Sequence, residues 1–237
     1  MTLEFSGPAL PLTTGGVSAL AAKWGVDPAW IWAVVDTESA GGGFLPDTRP
    51  KILYEAHIFG RETGHQWDGS HPNISAPGWD RSLYGAAGAH QYDRLAEAIA
   101  LDRAAALQSA SWGMFQVLGL NWQACGAGSV EDFVARMCIS EDNHLAAFAA
   151  FCEHGGLDRK LRAGDIGGFV EGYNGPGQVD YYAGVMQANY WHHAQPDRRA
   201  AIMSWQQNWN HEHPDEPPLL VDGIAGPKTL AAGYVDG

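Results

Sequence analysis

Apolar stretches with helical spacing alternate along the chain with short runs of glycine, proline and polar residues that end them. Val17, Leu20, Ala21 and Trp24 recur at the intervals of one helix face. Asp27-Pro28 marks a helix start, since Asp accepts from free N–H groups and Pro suits the first helical position. On the helix that follows, Ile31, Val34, Val35 and Glu38 fall at i, i+3, i+4 and i+7, which puts a carboxylate on the core-facing stripe. Gly41-Gly42-Gly43 ends that helix and leaves backbone close to the side chain. Residues 51–59 read as a strand or as the start of a helix. Residues 62–90 read as a long loop, because turn formers are dense there, as in His71-Pro72-Asn73 and Ala76-Pro77-Gly78. Helix is predicted over 92–109. Ser129-Val130-Glu131-Asp132 has capping-box form and opens a run through Phe133, Val134, Met137, Leu145, Phe148 and Cys152 to Gly155-Gly156. Asp165 opens a shorter helix to Tyr173-Asn174-Gly175-Pro176-Gly177, and another covers Asp180 to His192. Gln195-Pro196-Asp197 reads as a linker. A short helix with Trp205, Gln206 and Trp209, a Pro-rich loop and Val221-Asp222-Gly223-Ile224-Ala225-Gly226-Pro227-Lys228-Thr229 follow it. The pattern predicts a mainly α (α+β) fold: a helical domain over 1–194 with a small irregular or β region, and a short helical segment over 195–237.

Composition narrows this picture. With 237 residues, 46% of them apolar and 11% aromatic, the chain can bury one substantial core and carry a small second module. A net charge of −13 argues against nucleic acid as a partner, because phosphate binding needs a basic face. No apolar run reaches membrane-spanning length, and Met1-Thr2-Leu3-Glu4-Phe5 lacks the basic start of a secretory leader. The expectation is a protein made in the cytoplasm without a signal peptide and without membrane insertion. Cys138 and Cys152 fall on one predicted helix, about 21 Å apart, so they cannot pair, and Cys125 is left with them as a third buried thiol. His192-His193, His211 and His213 come with no Cys cluster or His-Glu-x-x-His pattern and read as surface histidines. No metal or other cofactor is expected.

The candidate chemistry starts at Glu38. A carboxylic acid held against apolar surface has a raised pKa and stays protonated near neutral pH, as a general acid must. The same spacing also fits a buried glutamate paired to an Arg or capping its own helix. Asp36, two residues earlier, faces elsewhere and reads as solvated. Two later segments share with Glu38-Ser39 the placing of polar groups beside glycines at a helix edge: Ser111-Trp112-Gly113-Met114-Phe115-Gln116 and Gly172-Tyr173-Asn174-Gly175.

Together these three segments resemble the lysozyme-like and lytic transglycosylase superfamily. There a helix-end Glu precedes a Gly-Leu-Met-Gln type segment and then a Tyr-Asn-Ala-Gly type segment. The closer resemblance is to the N-acetylmuramidase family of modular phage endolysins. It is carried by Glu38-Ser39 with Gly43-Phe44-Leu45-Pro46-Asp47, and by Lys51-Ile52-Leu53-Tyr54-Glu55-Ala56-His57. It continues through Ser109-Ala110 into Ser111–Gln116, and through Gly172-Tyr173-Asn174-Gly175-Pro176-Gly177. It spans residues 17–192.

The resemblance implies a lysozyme-like fold and cleavage of the β-1,4 bond between N-acetylmuramic acid and N-acetylglucosamine in peptidoglycan, with Glu38 as general acid. Such cleavage needs a protonated leaving oxygen and stabilisation of an oxocarbenium-like state. Glu55 is the first candidate for a second carboxylate, unless Lys51 or Arg49 simply pairs with it. If 51–59 is extended, His57 shares the face of Glu55 and would orient it. Ser111 and Gln116 would bind substrate or hold Glu38, and Tyr173 and Asn174 would line the cleft. Their plainer roles are a core aromatic for Tyr173 and a turn residue for Asn174. Trp67, Trp79 and Trp112 would stack on sugars or fill core. The 205–229 segment resembles part of a peptidoglycan-binding module that packs on the catalytic domain. The rival readings are a lytic transglycosylase, a non-catalytic wall-binding module and a metal-dependent amidase. The setting is a phage endolysin released through a holin, or a type VI-like antibacterial effector with an immunity protein and a secretion apparatus as partners. In either case the target is periplasmic peptidoglycan.

Overall fold

The structure is a computed structural model that describes residues 3–39, 41–221, 223 and 227–235, without the side chains of Pro196, Arg198 and Pro227. Ala40, Asp222 and Ile224–Gly226 therefore lie outside the described residues, and with them parts of the glycine-ended turn and of the Val221–Thr229 segment. Two helices open the chain: α1 (Thr14–Trp24), capped by Thr13, and α2 (Pro28–Glu38), capped by the Asp27 carboxylate on the Ala29 N–H. Strand β1 (Ile52–Tyr54) runs directly into α3 (Ala56–Glu62), so both readings of 51–59 hold, each for half of the segment. The turn-rich stretch that follows contains one 3₁₀ turn, Arg81–Leu83.

Next come α4 (His90–Leu101), α5 (Arg103–Gln108), β2 (Ala110–Trp112) and β3 (Val117–Leu118). The single helix expected over 92–109 is broken at Asp102. That residue is extended, and its carboxylate accepts from the Ala105 N–H to start α5. The run from Ser129 is likewise two helices, α6 (Val130–Met137) and α7 (Glu141–Gly155), because Ser140 is extended and caps α7 at the Asn143 N–H. Cys138 thus ends α6 while Cys152 sits in α7, so the one-helix argument against their pairing does not hold. All three cysteines are nonetheless free thiols, with Cys125 and Cys152 buried and Cys138 half-buried.

The chain ends in α8 (Leu157–Arg162), α9 (Ile166–Asn174), α10 (Val179–Ala194), α11 (Pro196–Glu212) and α12 (Pro227–Ala231). The expected linker is one bent residue, Gln195, and α11 is a 17-residue helix rather than a short one. Gln206 and Asn210, one turn apart on α11, hold the C-terminal segment together. Gln206 donates to Thr229 Oγ1 (3.1 Å) and accepts from the Gly223 N–H, while Asn210 both donates to and accepts from the Leu219 backbone.

The strands form an antiparallel sheet in the order β1-β2-β3, with Leu53 opposite Ser111 and Ser111 opposite Leu118. Pleating sends Ile52, Tyr54, Ala110, Trp112 and Val117 into the core, which leaves the row Leu53–Ser111–Leu118 on the open face. Helix α2 is covered on both flanks. Ile31, Val34 and Val35 join the main core with Trp24, Phe133, Phe148 and Phe169. On the α10 side Trp30 stacks on Tyr190, Asn189 donates to Thr37 Oγ1 (3.1 Å), and His193 bonds Asp36 (2.7 Å). Asp36 is therefore paired across a helix interface rather than simply solvated. These ties fix the end of α2 that carries Glu38. No described helix is long and apolar enough to cross a membrane.

Candidate active site

Helix α2 ends at Glu38 because Ser39 turns extended (φ −109°, ψ 127°) while its N–H still reaches Val35 O. The half-buried carboxylate lies where two depressions meet. One, of about 310 Å³, is lined by Glu38, Phe115, Gln116, Leu118, Tyr173 and Asn174. The other, of about 420 Å³, is lined by Glu38, Leu45, Lys51, Leu53, Met114 and Gln116. Glu38 and Gln116 belong to both, so an extended ligand filling the pair would cross the carboxylate. Burial raises the Glu38 pKa above the ordinary carboxylate value. A hydrogen bond donated by Asn174 Nδ2 to Oε1 (3.0 Å) favours the ionised form and offsets part of that rise.

The other sequence-predicted residues divide between the cleft and its supports. Gln116 holds a left-handed backbone (φ +50°), a conformation that costs a non-glycine residue energy and is tolerated where surroundings impose it. Its amide donates to Gly113 O (2.8 Å) and Lys51 O (3.3 Å), so it ties the β2–β3 turn to β1. Tyr173 lines the cleft and also packs: its hydroxyl donates to Phe115 O (2.8 Å), and its ring meets Phe148 edge-on and stacks near Phe169. Ser111 stands on the open sheet face. Trp112, its neighbour, points the opposite way. It is fully buried, its indole N–H donates to Leu107 O (3.1 Å), and its ring meets Phe5 and Tyr92, so it is a core residue and not a cleft wall. Trp67 packs inward against the core, whereas Trp79 is 64% exposed.

Glu55 is placed apart from Glu38. It lines a separate small depression with Tyr54, His57, Asp80, Tyr84 and Arg94. Its carboxylate accepts from the Tyr84 hydroxyl, which in turn accepts from Trp79 Nε1 (2.7 Å), and His57 Nδ1 lies 3.4 Å away. His57 reaches Glu55 from the first turn of α3, not from the same extended face. Neither Lys51 nor Arg49 is its ion-pair partner; Arg49 bonds Asp47 instead. Lys51, Leu53 and Glu55 alternate outward along one strand edge, so Glu55 is the next outward position, about 7 Å beyond Leu53. Sequence reasoning missed Leu45, Leu53, Met114 and Leu118 as lining residues. The period-2 pattern of a strand would have pointed to Leu53. Tyr84, in the turn-rich stretch, carries no local signal.

Residues 27–194 match the family model described as N-acetylmuramidase. The chain belongs to the N-acetylmuramidase family. The match runs from the cap of α2 to the last residue of α10 and so contains every lining residue of the two depressions that meet at Glu38. The chain is also similar to a solved endolysin of Burkholderia phage AP3, at 35% identity and a TM-score of 0.72, over 78% of this chain and 72% of that one. No curated protein matches it. This N-acetylmuramidase is a glycoside hydrolase acting on peptidoglycan, and its mainly α fold with a three-stranded sheet agrees with that assignment.

Proposed function

We propose that the enzyme hydrolyses the β-1,4 bond between N-acetylmuramic acid and N-acetylglucosamine, with Glu38 as general acid. The observation that carries this reading is the position of Glu38, half-buried with a raised pKa at the junction of two depressions. A glycan laid through both presents its bridging oxygen to a carboxyl group whose protonated form burial favours. Proton donation to that oxygen releases the leaving sugar as positive charge builds on the other. Asn174 then stabilises the carboxylate that remains. Gln116 and Tyr173 shape the cleft, and Ser111 on the open sheet face contacts the chain.

Glu55 is the second carboxylate in this reading. Held by Tyr84 and His57 outside the depressions lined by Glu38, it acts as a base on water rather than as a direct nucleophile. A nucleophile would stand about 5–5.5 Å from the acid, whereas a water-activating base leaves about 6.5–9.5 Å. That role predicts hydrolysis with inversion. The similarity to a phage endolysin supports the biological role of an endolysin that reaches the wall with the help of another protein, over that of a secreted effector with an immunity protein. The sequence beyond the family match, which begins with α11 beside α10, resembles a wall-binding segment and would help hold the enzyme on its substrate.

Digestion of purified peptidoglycan tests the reaction. Mass spectrometry is expected to find products carrying one added water per cleavage, and proton NMR of the first products to find an inverted anomeric centre. Products with a 1,6-anhydro end, or release of peptide stems alone, would overturn it.

A further inference from the structure

The first turn of α7 carries two buried polar side chains, Glu141 and His144. Their partners are backbone groups, those at Leu12, Gly43 and Met114 from segments far away in sequence and that at Met137 from the end of α6. His144 is 1% exposed. Its Nδ1 lies 3.1 Å from Met114 N and its Nε2 lies 2.7 Å from Met137 O. A backbone N–H can only donate and a carbonyl can only accept, so Nδ1 is the bare nitrogen and Nε2 carries the proton. One neutral tautomer satisfies both bonds, and an imidazolium would set two N–H groups against each other at Met114. Glu141, 8% exposed, accepts from the backbone N–H of Gly43 and of Leu12 (2.9 Å to the latter).

Side chains at the two neighbouring glycines would collide with the histidine ring. A Cβ on Gly43 would stand 2.4 Å from His144 Nδ1, and one on Gly113, where φ is +73°, would stand 2.8 Å from the ring. Phe44 packs on the ring at 4.8 Å between centroids. The two segments are also stitched together through Lys51, whose N–H donates to Gly43 O and whose carbonyl accepts from the Gly113 N–H, each at 2.8 Å. Gly41, Leu45, Gly113, Met114 and Gln116, from the same two segments, line the depression at Glu38.

We propose that His144 and Glu141 are positioning residues of the cleft, holding the backbone of residues 41–45 and 113–116 in the arrangement that receives the glycan. The proposal rests on the reading of that depression as the glycan site. The role of His144 requires its neutral form. The charged group facing it is Glu141 on its own helix; from the other elements it meets Gly43, Phe44, Gly113, Met114 and Met137, none of which titrates. Burial lowers the His144 pKa below the usual imidazole value, against smaller opposing effects of the Met137 bond and the Glu141 charge. Between that lowered value and about 6.5 the unfolded chain binds the proton and the folded one does not. The stabilisation is therefore complete above that window and declines as pH falls through it.

The test uses the full chain and two readouts. Nitrogen-15 NMR is expected to show scalar coupling across the hydrogen bond between Met114 N and His144 Nδ1, with the proton on Nε2, and loss of that coupling on acidification. Kinetics on soluble peptidoglycan fragments are expected to show His144→Phe lowering kcat/KM by about tenfold to a hundredfold, mainly through KM. His144→Asn, which keeps an acceptor near the position of Nδ1, is expected to recover most of that loss. Absence of the coupling, a proton on Nδ1, or a folded His144→Phe with unchanged KM and pH profile would overturn the proposal. Should His144→Phe not fold, the coupling and the His144→Asn kinetics decide it. Intact coupling in a protein that cleaves no glycan counts against the functional reading alone.

Discussion

At the residue scale, Glu38 joins two conditions that oppose each other in free solution. Burial favours its neutral form, while Asn174 donates to it and favours the anion. Burial is the larger effect, so the carboxyl holds its proton to higher pH than an ordinary carboxylic acid, while Asn174 gives the departing charge a partner. Glu38→Gln is expected to abolish lysis of outer-membrane-permeabilised cells, a loss of at least about 10²-fold, with the thermal transition unchanged. Near-normal lysis by a folded variant would rule out the acid role. Asn174→Leu keeps bulk but removes the donor, so the Glu38 pKa should rise further. Activity needs the protonated acid, and the alkaline limb of the pH–rate profile is therefore expected to move to higher pH. A move to lower pH would show that Asn174 acts on some other group.

At the element scale, the cleft depends on where helices stop. Three extended capping residues, Asp27, Asp102 and Ser140, start α2, α5 and α7. Asp27 begins the helix whose far end carries Glu38. Asp27→Ala is expected to cost about 1 kcal/mol in denaturant unfolding, the usual worth of such a cap. Phe148 stacks on Phe115, at the cleft, and meets Trp24 and Tyr173. Its truncation, Phe148→Ala, is expected to cost about 3–5 kcal/mol and to impair glycan cleavage, because the backbone carrying Phe115 and Gln116 loses its support. A stability loss with unchanged kinetics would separate this packing from the site. The breaks at Asp102 and Ser140 were hidden in the sequence: apolar spacing continues across both, and only the cap hydrogen bonds end the helices.

At the scale of the whole molecule, a net charge of −13 meets an anionic wall. The resulting repulsion acts over about a Debye length and is strongest at low salt. Replacing several exposed Asp and Glu residues remote from the cleft by Lys is expected to raise the rate of wall lysis at low ionic strength, with the gain fading as salt is added. Equal rates for variant and parent at low salt would show that approach to the wall does not limit lysis. Only Gln195 separates α10 from α11, so helix follows helix across the position where a linker was expected.

What the sequence determined by itself was local or periodic: the start of α2, the stripe that carries Glu38, the glycine-flanked segments at 111–116 and 172–175, and the mainly α class. Each follows from spacing, caps or turn chemistry within a few residues, and the family resemblance joined them into one expectation. Tertiary structure decided the rest. It turned Trp112 into the core because alternation on β2 gives Ser111 and Trp112 opposite faces, and only the sheet's position says which face is open. It set Glu55 with Tyr84 instead of beside Glu38, since β1 gives way to α3 at Glu55 itself. It brought Asn174 to Glu38 across 136 positions of chain, and His144 under the cleft from a helix that looked like core. Contacts between distant segments leave no period in either one, so packing alone could select them.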